Sequence, residues 1–249
     1  MNKKLNGKIA TVTGSSKGLG AAITKALAVE GASVVVNYNS SKNDANKVVA
    51  EIKEAGGKVF AVQADLSTES GAKDLISATI KHYGQLDILV NNAGIYRFAN
   101  IEDITMSDTL AHFNLNVFGP LCAIQAALPH LKEGSSIINI SSIASKHMFV
   151  GGVVYTAAKC ALDGITGVLG QELGVRKIRI NSINPGLIET EGAITEGSIG
   201  GEFETLTKNL TPLGRTGIPS DISSIAVFLA SDDSKWITGE RLSAAGGMR

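Results

Sequence analysis

The sequence predicts an α/β fold in a single domain, with a doubly wound parallel sheet and helices on both faces. Its 249 residues include 44% hydrophobic side chains and 28 glycines, a size and composition that suit one large buried core. Short β-branched runs alternate along the chain with stretches of helical periodicity. Because no repeat, low-complexity segment or linker interrupts this alternation, we expect the domain to span residues 1–249.

Six apolar runs predict the strands of this sheet, at residues 9–12, 33–36, 59–62, 86–90, 136–140 and 178–181. Continuous runs of this kind are typical of strands that are buried on both faces. Helical spacing over 21–28 and 44–55 follows the first two runs, and helices between strands indicate parallel strands with right-handed crossovers. The Gly-, Thr- and Glu-rich segment at about 187–210 fits none of these elements. We expect it to be a mobile lid over a substrate, with a plain surface excursion as the alternative.

A glycine-rich turn follows the first predicted strand and opens the first predicted helix, in the sequence Thr13-Gly14-Ser15-Ser16-Lys17-Gly18-Leu19-Gly20. Gly14 permits a tight turn, Gly18 lets the backbone approach a diphosphate, and Gly20 lets the helix pack on the strand. Free N–H groups at the start of a helix attract the anion. The turn therefore predicts a dinucleotide cradle. Its spacing differs from G-x-G-x-x-G, so a purely structural turn is the alternative.

A second pattern with chemical meaning is Tyr155-Thr-Ala-Ala-Lys159, in which one helical turn places the phenol and the ammonium on the same face. A tyrosine with a pKa near ~10 is a poor base at neutral pH, but an adjacent cation favours the phenolate. We therefore expect Lys159 to lower the pKa of Tyr155 and the pair to exchange a proton with a substrate. The alternative is a half-buried ring beside a solvated charge.

Composition and charge exclude several classes of partner. Lys plus Arg and Asp plus Glu both total 23, so the formal net charge is zero, and no basic block suits nucleic acid or an anionic membrane. No apolar stretch approaches the ~18 residues that a membrane span needs. Cys122 and Cys160 are too few for a disulfide framework and indicate a reducing, cytoplasmic setting. The four histidines lack metal-ligand spacing, so we expect a small-molecule partner and no metal.

Taken together, the ordered motifs resemble those of the short-chain dehydrogenase/reductase family from the first strand to the C-terminus. The matching residues are Thr13-Gly14-x-x-x-Gly18-x-Gly20, Asp65, Asn91-Asn92-Ala93-Gly94, Asn116, Ser142, Tyr155-x-x-x-Lys159, Asn184-Pro185-Gly186 with Thr190, and Thr211-Pro212-Leu213-Gly214-Arg215. Each motif alone is weak, but chance agreement of so many in the same order is negligible. The resemblance implies a Rossmann-type sheet and an oxidoreductase.

The resemblance also implies catalytic roles. Tyr155 would be the general acid in ketone reduction and the base in alcohol oxidation, with Lys159 also bonding the nicotinamide ribose. Ser142 would bond the substrate oxygen, and it is preferred to Ser141 because neighbouring strand residues point to opposite faces and the family spacing selects the second serine.

Asn116 would hold a water in the proton relay behind the catalytic lysine, as the resemblance implies. Asn114 is its rival, but the family pattern of an Asn followed three residues later by Gly selects Asn116 with Gly119. Without the resemblance, a polar group at a helix kink would be the simpler interpretation.

A larger set is expected to bind the dinucleotide. It comprises Gly14, Ser16, Lys17, Gly18, Leu19, Gly20, Asn37, Asp65, Leu66, Asn92, Ala93, Gly94, Tyr155, Lys159, Pro185, Gly186, Ile188 and Thr190. Within it, Asp65 is expected to reach the adenine, and Ile188 and Thr190 the nicotinamide carboxamide.

The cofactor is predicted to be NADP(H), with NAD(H) possible. An NAD-selective fold of this kind places an acidic residue about 20 residues past the glycines, at the end of the second strand. Asn37 stands there and does not repel a 2′-phosphate, and Lys17 adds a cation on the same side. Ser40, Ser41 and Lys42 are close enough in sequence to donate to the phosphate. The alternative is that Lys17 is solvated and Asn37 reads the 2′-hydroxyl, which would give NAD or dual use.

The predicted activity is hydride transfer between NADP(H) and a ketone or secondary alcohol. Two alternatives are a 3-oxoacyl carrier-protein reductase, for which Arg176 is the basic residue available near the site, and a non-catalytic dinucleotide sensor. The resemblance implies a homotetramer in which the helix bearing Tyr155 and the long helix after Thr105 pack across a two-fold axis, with the C-terminal segment at another interface. Apolar residues for that role, or for packing on the sheet, are Leu121, Ile124, Leu162, Ile165 and Leu169.

Overall fold

Seven parallel strands form one sheet in the computed structural model, which describes residues 3–248; the predicted domain's residues 1, 2 and 249 lie outside the described residues. The strands are β1 (Ile9–Val12), β2 (Ser33–Tyr38), β3 (Val59–Gln63), β4 (Ile88–Asn91), β5 (Ser136–Ile140), β6 (Arg179–Pro185) and β7 (Arg241–Ala244). Their order across the sheet is β3-β2-β1-β4-β5-β6-β7, and every neighbouring pair is parallel. The strands that follow β1 are added towards one edge of the sheet, and those from β4 onwards towards the other edge. This reversal of strand order between β1 and β4 opens a crevice at their carboxyl ends.

Helices cover both faces of this sheet, as predicted. They are α1 (Gly18–Val29), α2 (Lys42–Glu54), α3 (Glu69–Tyr83), α4 (Met106–Phe113), α5 (Gly119–Ala127), α6 (Val153–Gly174), α7 (Glu191–Thr195), α8 (Glu202–Leu210) and α9 (Pro219–Ala230). A π-helical turn, Asn114–Phe118, joins α4 to α5, and a short 3-10 helix, Ile143–Ser145, follows β5. No helix within residues 3–248 is long and apolar enough to cross a membrane.

The hydrophobic core has two layers, one on each side of the sheet. On one side, Ile23 and Leu27 of α1 and Ile222 of α9 pack with the strand residues. On the other, Leu75 of α3 and Ile124 of α5 do the same. All residues of β1, β4, β5 and β6 are buried, as the continuous apolar runs predict.

The structure differs from the sequence prediction at β7 and at the segment 187–210. β7 is an edge strand in which exposed and half-buried residues alternate, so its sequence carries no apolar run. The segment contains α7 and α8 rather than irregular backbone. The side chain of Thr190 accepts a hydrogen bond from the N–H of Ala193 and starts α7, and Gly197 and Gly200, with φ of 77° and 94°, form the turn before α8.

Two of the five residues proposed for a subunit interface belong to the core instead. Ile124 and Leu162 are 2% and 1% exposed, because both side chains lie within the fold. Leu121, Ile165 and Leu169 are half-buried. The prediction of an interface on α6 therefore depends on other residues of that helix.

Candidate active site

A cavity of about 720 Å³ lies at the carboxyl ends of the central strands. Its wall contains all the residues that the sequence assigns to the dinucleotide: Gly14, Ser16, Lys17, Gly18, Leu19, Gly20, Asn37, Asp65, Leu66, Asn92, Ala93, Gly94, Tyr155, Lys159, Pro185, Gly186, Ile188 and Thr190. Ser142 lines the same cavity. The fold thus brings these separate motifs to one place.

The glycine-rich turn is held by its two neighbours in the sheet. The hydroxyl of Thr13 accepts hydrogen bonds from the N–H groups of Asn92 and Ala93, both at 2.9 Å. The Asn92 amide donates to the carbonyls of Thr13 and Gly14 at 2.9 and 3.0 Å. On the other side, Asn37 Oδ1 accepts from the N–H of Gly14 at 2.9 Å. The turn therefore has a fixed conformation before any ligand binds.

Steric contacts explain why glycines occupy this turn. A Cβ at Gly14, where φ is 59°, would lie 2.8 Å from the Cα of Ala93. A Cβ at Gly20 would lie 2.4 Å from Asn92 Nδ2. Because Lys17 makes no side-chain cap, the first N–H groups of α1 are left for an external acceptor. This cradle fits the diphosphate of a dinucleotide.

Asn37 serves this turn rather than facing the cavity with a free amide. It is 1% exposed, and Nδ2 donates to the carbonyl of Ala64 at 3.1 Å while Oδ1 holds Gly14. The amide is thus bonded at both ends to backbone, which leaves it little capacity to read a ribose hydroxyl. Its role in cofactor choice stays a prediction.

Other polar residues also line the cavity. They are Lys17, Ser40, Ser41 and Asn39, and their contact with an adenosine phosphate stays a prediction. Asn39 was missed because it belongs to no motif, although its place just beyond β2 was a usable signal. Lys42, at the start of α2, is not among the lining residues.

Asp65 has a structural task in the loop after β3. Its Oδ1 accepts hydrogen bonds from the N–H and the hydroxyl of Ser67, at 2.9 and 2.7 Å. The carboxylate thereby fixes the turn that leads into α3, and the residue lines the cavity.

Tyr155, Ser142 and Lys159 meet in the deeper part of the site. Lys159 is buried, its Nζ donates to the carbonyl of Ile140 at 2.8 Å, and the same nitrogen lies 5.7 Å from the centre of the Tyr155 ring. Ser142 caps the 3-10 helix, since its Oγ accepts from the N–H of Ala144 at 3.1 Å. Ser141 instead donates to the carbonyl of Lys159 at 3.3 Å, which favours Ser142 as the substrate contact.

The pKa of Tyr155 departs from the sequence-based expectation. Burial raises it to about 12, while a hydrogen bond with Ser142 lowers it and the nearby Tyr96 raises it. Burial also lowers the pKa of Lys159 to about 8, against the opposing effect of Asp163. The spacing alone predicted a lowered tyrosine pKa, because sequence shows the cation but not the loss of water around both groups.

Asn116 is the one predicted catalytic residue that does not line the cavity. It is 1% exposed and sits in the π-helical turn, with Oδ1 accepting from the N–H of Ile95 at 2.9 Å and Nδ2 donating to the carbonyl of the same residue at 2.8 Å. Ile95 itself lines the cavity. Asn116 therefore holds the loop after β4 through the backbone of Ile95, and its part in a proton relay stays a prediction.

Aromatic side chains form the wall beside Tyr155. Phe98 packs edge-on to Tyr155, with ring centroids 5.7 Å apart, and edge-on to Phe149 at 5.2 Å. Phe203 of α8 lies 6.4 Å from Phe149, and Tyr96 lies 6.5 Å from Tyr155. No sequence pattern marks Phe98, because its loop carries no recognisable motif. Met148, close to Phe149 in sequence, is 70% exposed and does not line the cavity.

Metal ligands are not assembled in the described chain. Within residues 3–248, no group of three or more His, Cys, Asp or Glu side chains is placed to hold a metal ion.

Comparison with known proteins identifies the family. A family model described as enoyl-(acyl carrier protein) reductase matches residues 14–249. A short-chain dehydrogenase/reductase from Serratia marcescens has the same fold, with a TM-score of 0.94 and 37% identity over 98% of this chain and 99% of that one. This chain is a short-chain dehydrogenase/reductase. It is therefore an NAD(P)-dependent oxidoreductase that acts on C=O or CH–OH groups.

Other members of the short-chain dehydrogenase/reductase family are also similar over nearly their full length. An uncharacterised oxidoreductase of Methylorubrum extorquens is 52% identical, with 99% of each chain covered. A versicolorin reductase of Emericella nidulans is 38% identical over 99% of this chain and 97% of its own. A hydroxynaphthalene reductase-like protein of Metarhizium brunneum is 36% identical over 98% and 96%. A Burkholderia cenocepacia enzyme, solved in complex with NADP, has a TM-score of 0.93 and 35% identity over 98% and 99%. The versicolorin reductase and the hydroxynaphthalene reductase-like protein support a ketoreductase type of activity.

Proposed function

We propose that this enzyme reduces a ketone to a secondary alcohol with NADPH, and that Tyr155 supplies the proton. The observation that carries the proposal is that Ser142, Tyr155 and Lys159 line the same cavity as the glycine cradle. A nicotinamide dinucleotide bound in the cradle would supply the hydride. The side chains of this chain supply orientation and the proton.

Ser142 and Tyr155 are the two hydroxyl groups that would hold the carbonyl oxygen of the substrate. With a pKa of about 12, Tyr155 is protonated at neutral pH and therefore ready to donate. As the proton leaves, negative charge grows on the phenol oxygen, and the ammonium of Lys159 on the next turn of α6 stabilises it. The lysine thus acts on the phenolate as it forms, and does not need to lower the resting pKa of the tyrosine.

NADP(H) is the cofactor that the polar residues favour. Lys17, Asn39, Ser40 and Ser41 line the cavity and offer one cation and several donors to a 2′-phosphate. Asn37, at the end of β2, carries no charge that would repel it. The related Burkholderia enzyme binds NADP, which supports the same choice here.

An aromatic ketone is the substrate class that fits the wall. Phe98, Phe149 and Phe203 give an apolar aromatic surface beside Tyr155, and offset or edge-on ring contacts add about 0.5–1.5 kcal/mol each beyond burial. The relationship to a hydroxynaphthalene reductase-like protein supports an aryl group in this position.

The alternative of a 3-oxoacyl carrier-protein reductase is less well supported than reduction of a free ketone, because its basic contact residue is engaged elsewhere. The guanidinium of Arg176 donates to the carbonyls of Leu128 and Leu131, at 2.7 and 3.2 Å, and the residue does not line the cavity. Arg176 is therefore occupied away from the entrance, and no longer stands as a contact for an acidic carrier.

The test is a panel of aryl ketones, small aliphatic ketones and a 3-oxoacyl thioester on carrier protein, each followed by loss of NADPH absorbance. We expect the highest kcat/KM with a bicyclic aryl ketone. Highest turnover with the carrier-bound thioester would support the alternative, and NADPH binding without turnover of any ketone would contradict the proposal.

A further inference from the structure

A buried carboxylate lies on α6 one turn beyond the catalytic lysine. Asp163 is 6% exposed and, with Tyr155 and Lys159, follows the spacing i, i+4, i+8, so the three share one face of the helix. Its Oδ2 accepts from Asn184 Nδ2 at 2.7 Å and from the hydroxyl of Ser145 at 2.6 Å. Its Oδ1 accepts from the hydroxyl of Ser182 at 3.1 Å. Burying a carboxylate costs free energy unless hydrogen bonds compensate for the lost water, and these three bonds do so.

The hydrogen bonds continue from Asp163 to the loop that carries Ser142. The Nδ2 of Asn184 is also 3.2 Å from the carbonyl oxygen of Ser142, and the hydroxyl of Ser145 is 2.9 Å from the same oxygen. The amide of Asn184 thus presents its donor end to the carboxylate, while its buried Oδ1 has no hydrogen-bond partner in residues 3–248. The single proton of the Ser145 hydroxyl goes to Asp163 at the shorter distance, so Asn184, with two amide protons, is the group that can bridge the carboxylate to the backbone of Ser142.

The charge of Asp163 also acts on the lysine. All three groups that donate to its carboxylate are neutral, so its negative charge is not cancelled by them. Burial lowers the pKa of Lys159, and Asp163 is the group that raises it. At low local dielectric, a carboxylate one helical turn away has a substantial effect on a buried ammonium.

We propose that Asp163 is a positioning residue for the reaction, which holds Ser142 through Asn184 and keeps Lys159 charged at neutral pH. The inference rests on the proposed function, because it concerns the same tyrosine, serine and lysine. Asp163 does not line the cavity, so we assign it no direct contact with substrate or cofactor.

Other titratable groups lie near this pair. Tyr155 and Cys160 are on the same helix; burial and then Asp163 raise the pKa of the Cys160 thiol, which donates to the carbonyl of Ser145 at 3.4 Å. Tyr96, from the loop after β4, and His147, after the 3-10 helix, line the cavity. Cys160→Ala is therefore a necessary control, because it removes a second group that responds to Asp163.

The charge is tested with Asp163→Asn, which keeps the size of the side chain. Lys159 is charged below its pKa, so activity and NADPH affinity fall as the pH rises through it. Loss of the carboxylate lowers that pKa. We therefore expect the alkaline limb, which is the fall of kcat on the high-pH side of its pH profile, to shift to a pH about one unit lower. NADPH affinity, measured by fluorescence without ketone, should show the same shift, since Lys159 is proposed to bind the nicotinamide ribose. Asp163→Glu should move the limb back towards that of the wild type.

Ser182→Ala and Cys160→Ala are the matched controls, because they leave the carboxylate in place; both should keep the limb at the wild-type pH. A folded Asp163→Asn protein with the wild-type limb in both measurements would overturn the charge role. If this variant does not fold, the wild-type protein decides: NADPH affinity that stays flat from about pH 7 to 10 contradicts a lysine pKa near 8.

The positioning role is tested separately with Ser145→Ala. The hydroxyl of Ser145 donates to Asp163 and accepts from Asn184 at 2.9 Å, so its removal loosens the Asn184 amide that holds Ser142. We expect kcat to fall about tenfold while NADPH affinity and the alkaline limb stay unchanged. An unchanged kcat would overturn this part. If the proposed function fails, the wild-type protein will show no turnover. If only this inference fails, the wild-type protein will turn over substrate and the variants will behave like it.

Discussion

At the scale of single residues, the site depends on how burial changes a phenol. Tyr155 is a weaker acid in the fold than in water, because burial raises its pKa to about 12. A proton donor with that pKa suits the reductive direction, and the charge that develops on it is met by Lys159, 5.7 Å from the ring centre. Oxidation of an alcohol needs the opposite state, so we expect it to be favoured at higher pH.

Tyr155→Phe isolates the contribution of the hydroxyl. The ring and its edge-on contact with Phe98 remain, so the fold and the cofactor cradle should be unaffected. Only the transferable proton is lost, and kcat should fall by about 10²–10⁴-fold while the Kd for NADPH changes little. Steady-state kinetics and fluorescence titration measure the two quantities, and retention of most of the wild-type kcat would rule out Tyr155 as the acid.

Lys17→Ala tests cofactor choice. Lys17 lines the cavity, where an ammonium would pair with a 2′-phosphate. We expect kcat/KM with NADPH to fall about tenfold and kcat/KM with NADH to change little. Lys42→Ala is the matched control, because Lys42 follows the lining residues Ser40 and Ser41 in sequence but does not line the cavity, and it should leave both values unchanged. Equal losses with the two cofactors would show that Lys17 is only a solvated charge.

At the scale of helices and strands, the segment 187–210 differs most from what the sequence predicted. α8 has no buried residue, and Phe203, Leu206 and Leu210 on it are 43%, 54% and 60% exposed. A helix that packs so little of its apolar surface gains little from burial, so it is held weakly to the rest of the fold. Phe203 packs edge-on to Phe149, with ring centroids 6.4 Å apart, so the proposed aromatic ketone would contact both α8 and the loop that carries Phe149.

Phe203→Ala should therefore affect large aromatic substrates selectively. We expect about a tenfold lower kcat/KM with an aryl ketone and a much smaller effect with a short aliphatic ketone, which cannot reach the lid. Ile194→Ala on α7 is the control, since Ile194 is 58% exposed and does not line the cavity. A uniform loss with both ketones would assign Phe203 to lid stability rather than to substrate contact.

The elements of the sheet were predictable from sequence because burial on both faces leaves continuous apolar runs. The cradle was predictable too, since Gly14 and Gly20 sit where any side chain would collide. Phe98 and the helices α7 and α8 were not, because their placement depends on contacts between distant parts of the chain. The pKa of Tyr155 was predicted in the wrong direction for the same reason: desolvation is a property of the packed site and has no sequence pattern.

At the scale of the whole molecule, α6 has two faces of different character. One of its faces carries Tyr155, Lys159 and Asp163, while another carries Gly164 and Val168. A Cβ at Gly164 would meet no atom within 4 Å, and Val168 is 59% exposed. Leu110 of α4 and Phe118 are also about half exposed, at 51% and 49%. A second copy of the chain that covers this face would brace the helix that holds the catalytic residues.

The homotetramer implied by the family resemblance is therefore predicted to use this face of α6, rather than Ile124 and Leu162. Val168→Glu should place a charge in that contact and reduce the mass measured by light scattering at micromolar concentration to that of a dimer or monomer. Val29→Glu is the control, because Val29 is 63% exposed at the end of α1 and should leave the mass unchanged. If the contact braces the active site, kcat of the Val168→Glu protein should also fall, and more so at low protein concentration. A wild-type monomer would contradict the tetramer itself, whereas a tetrameric Val168→Glu protein would place the contact on a different surface.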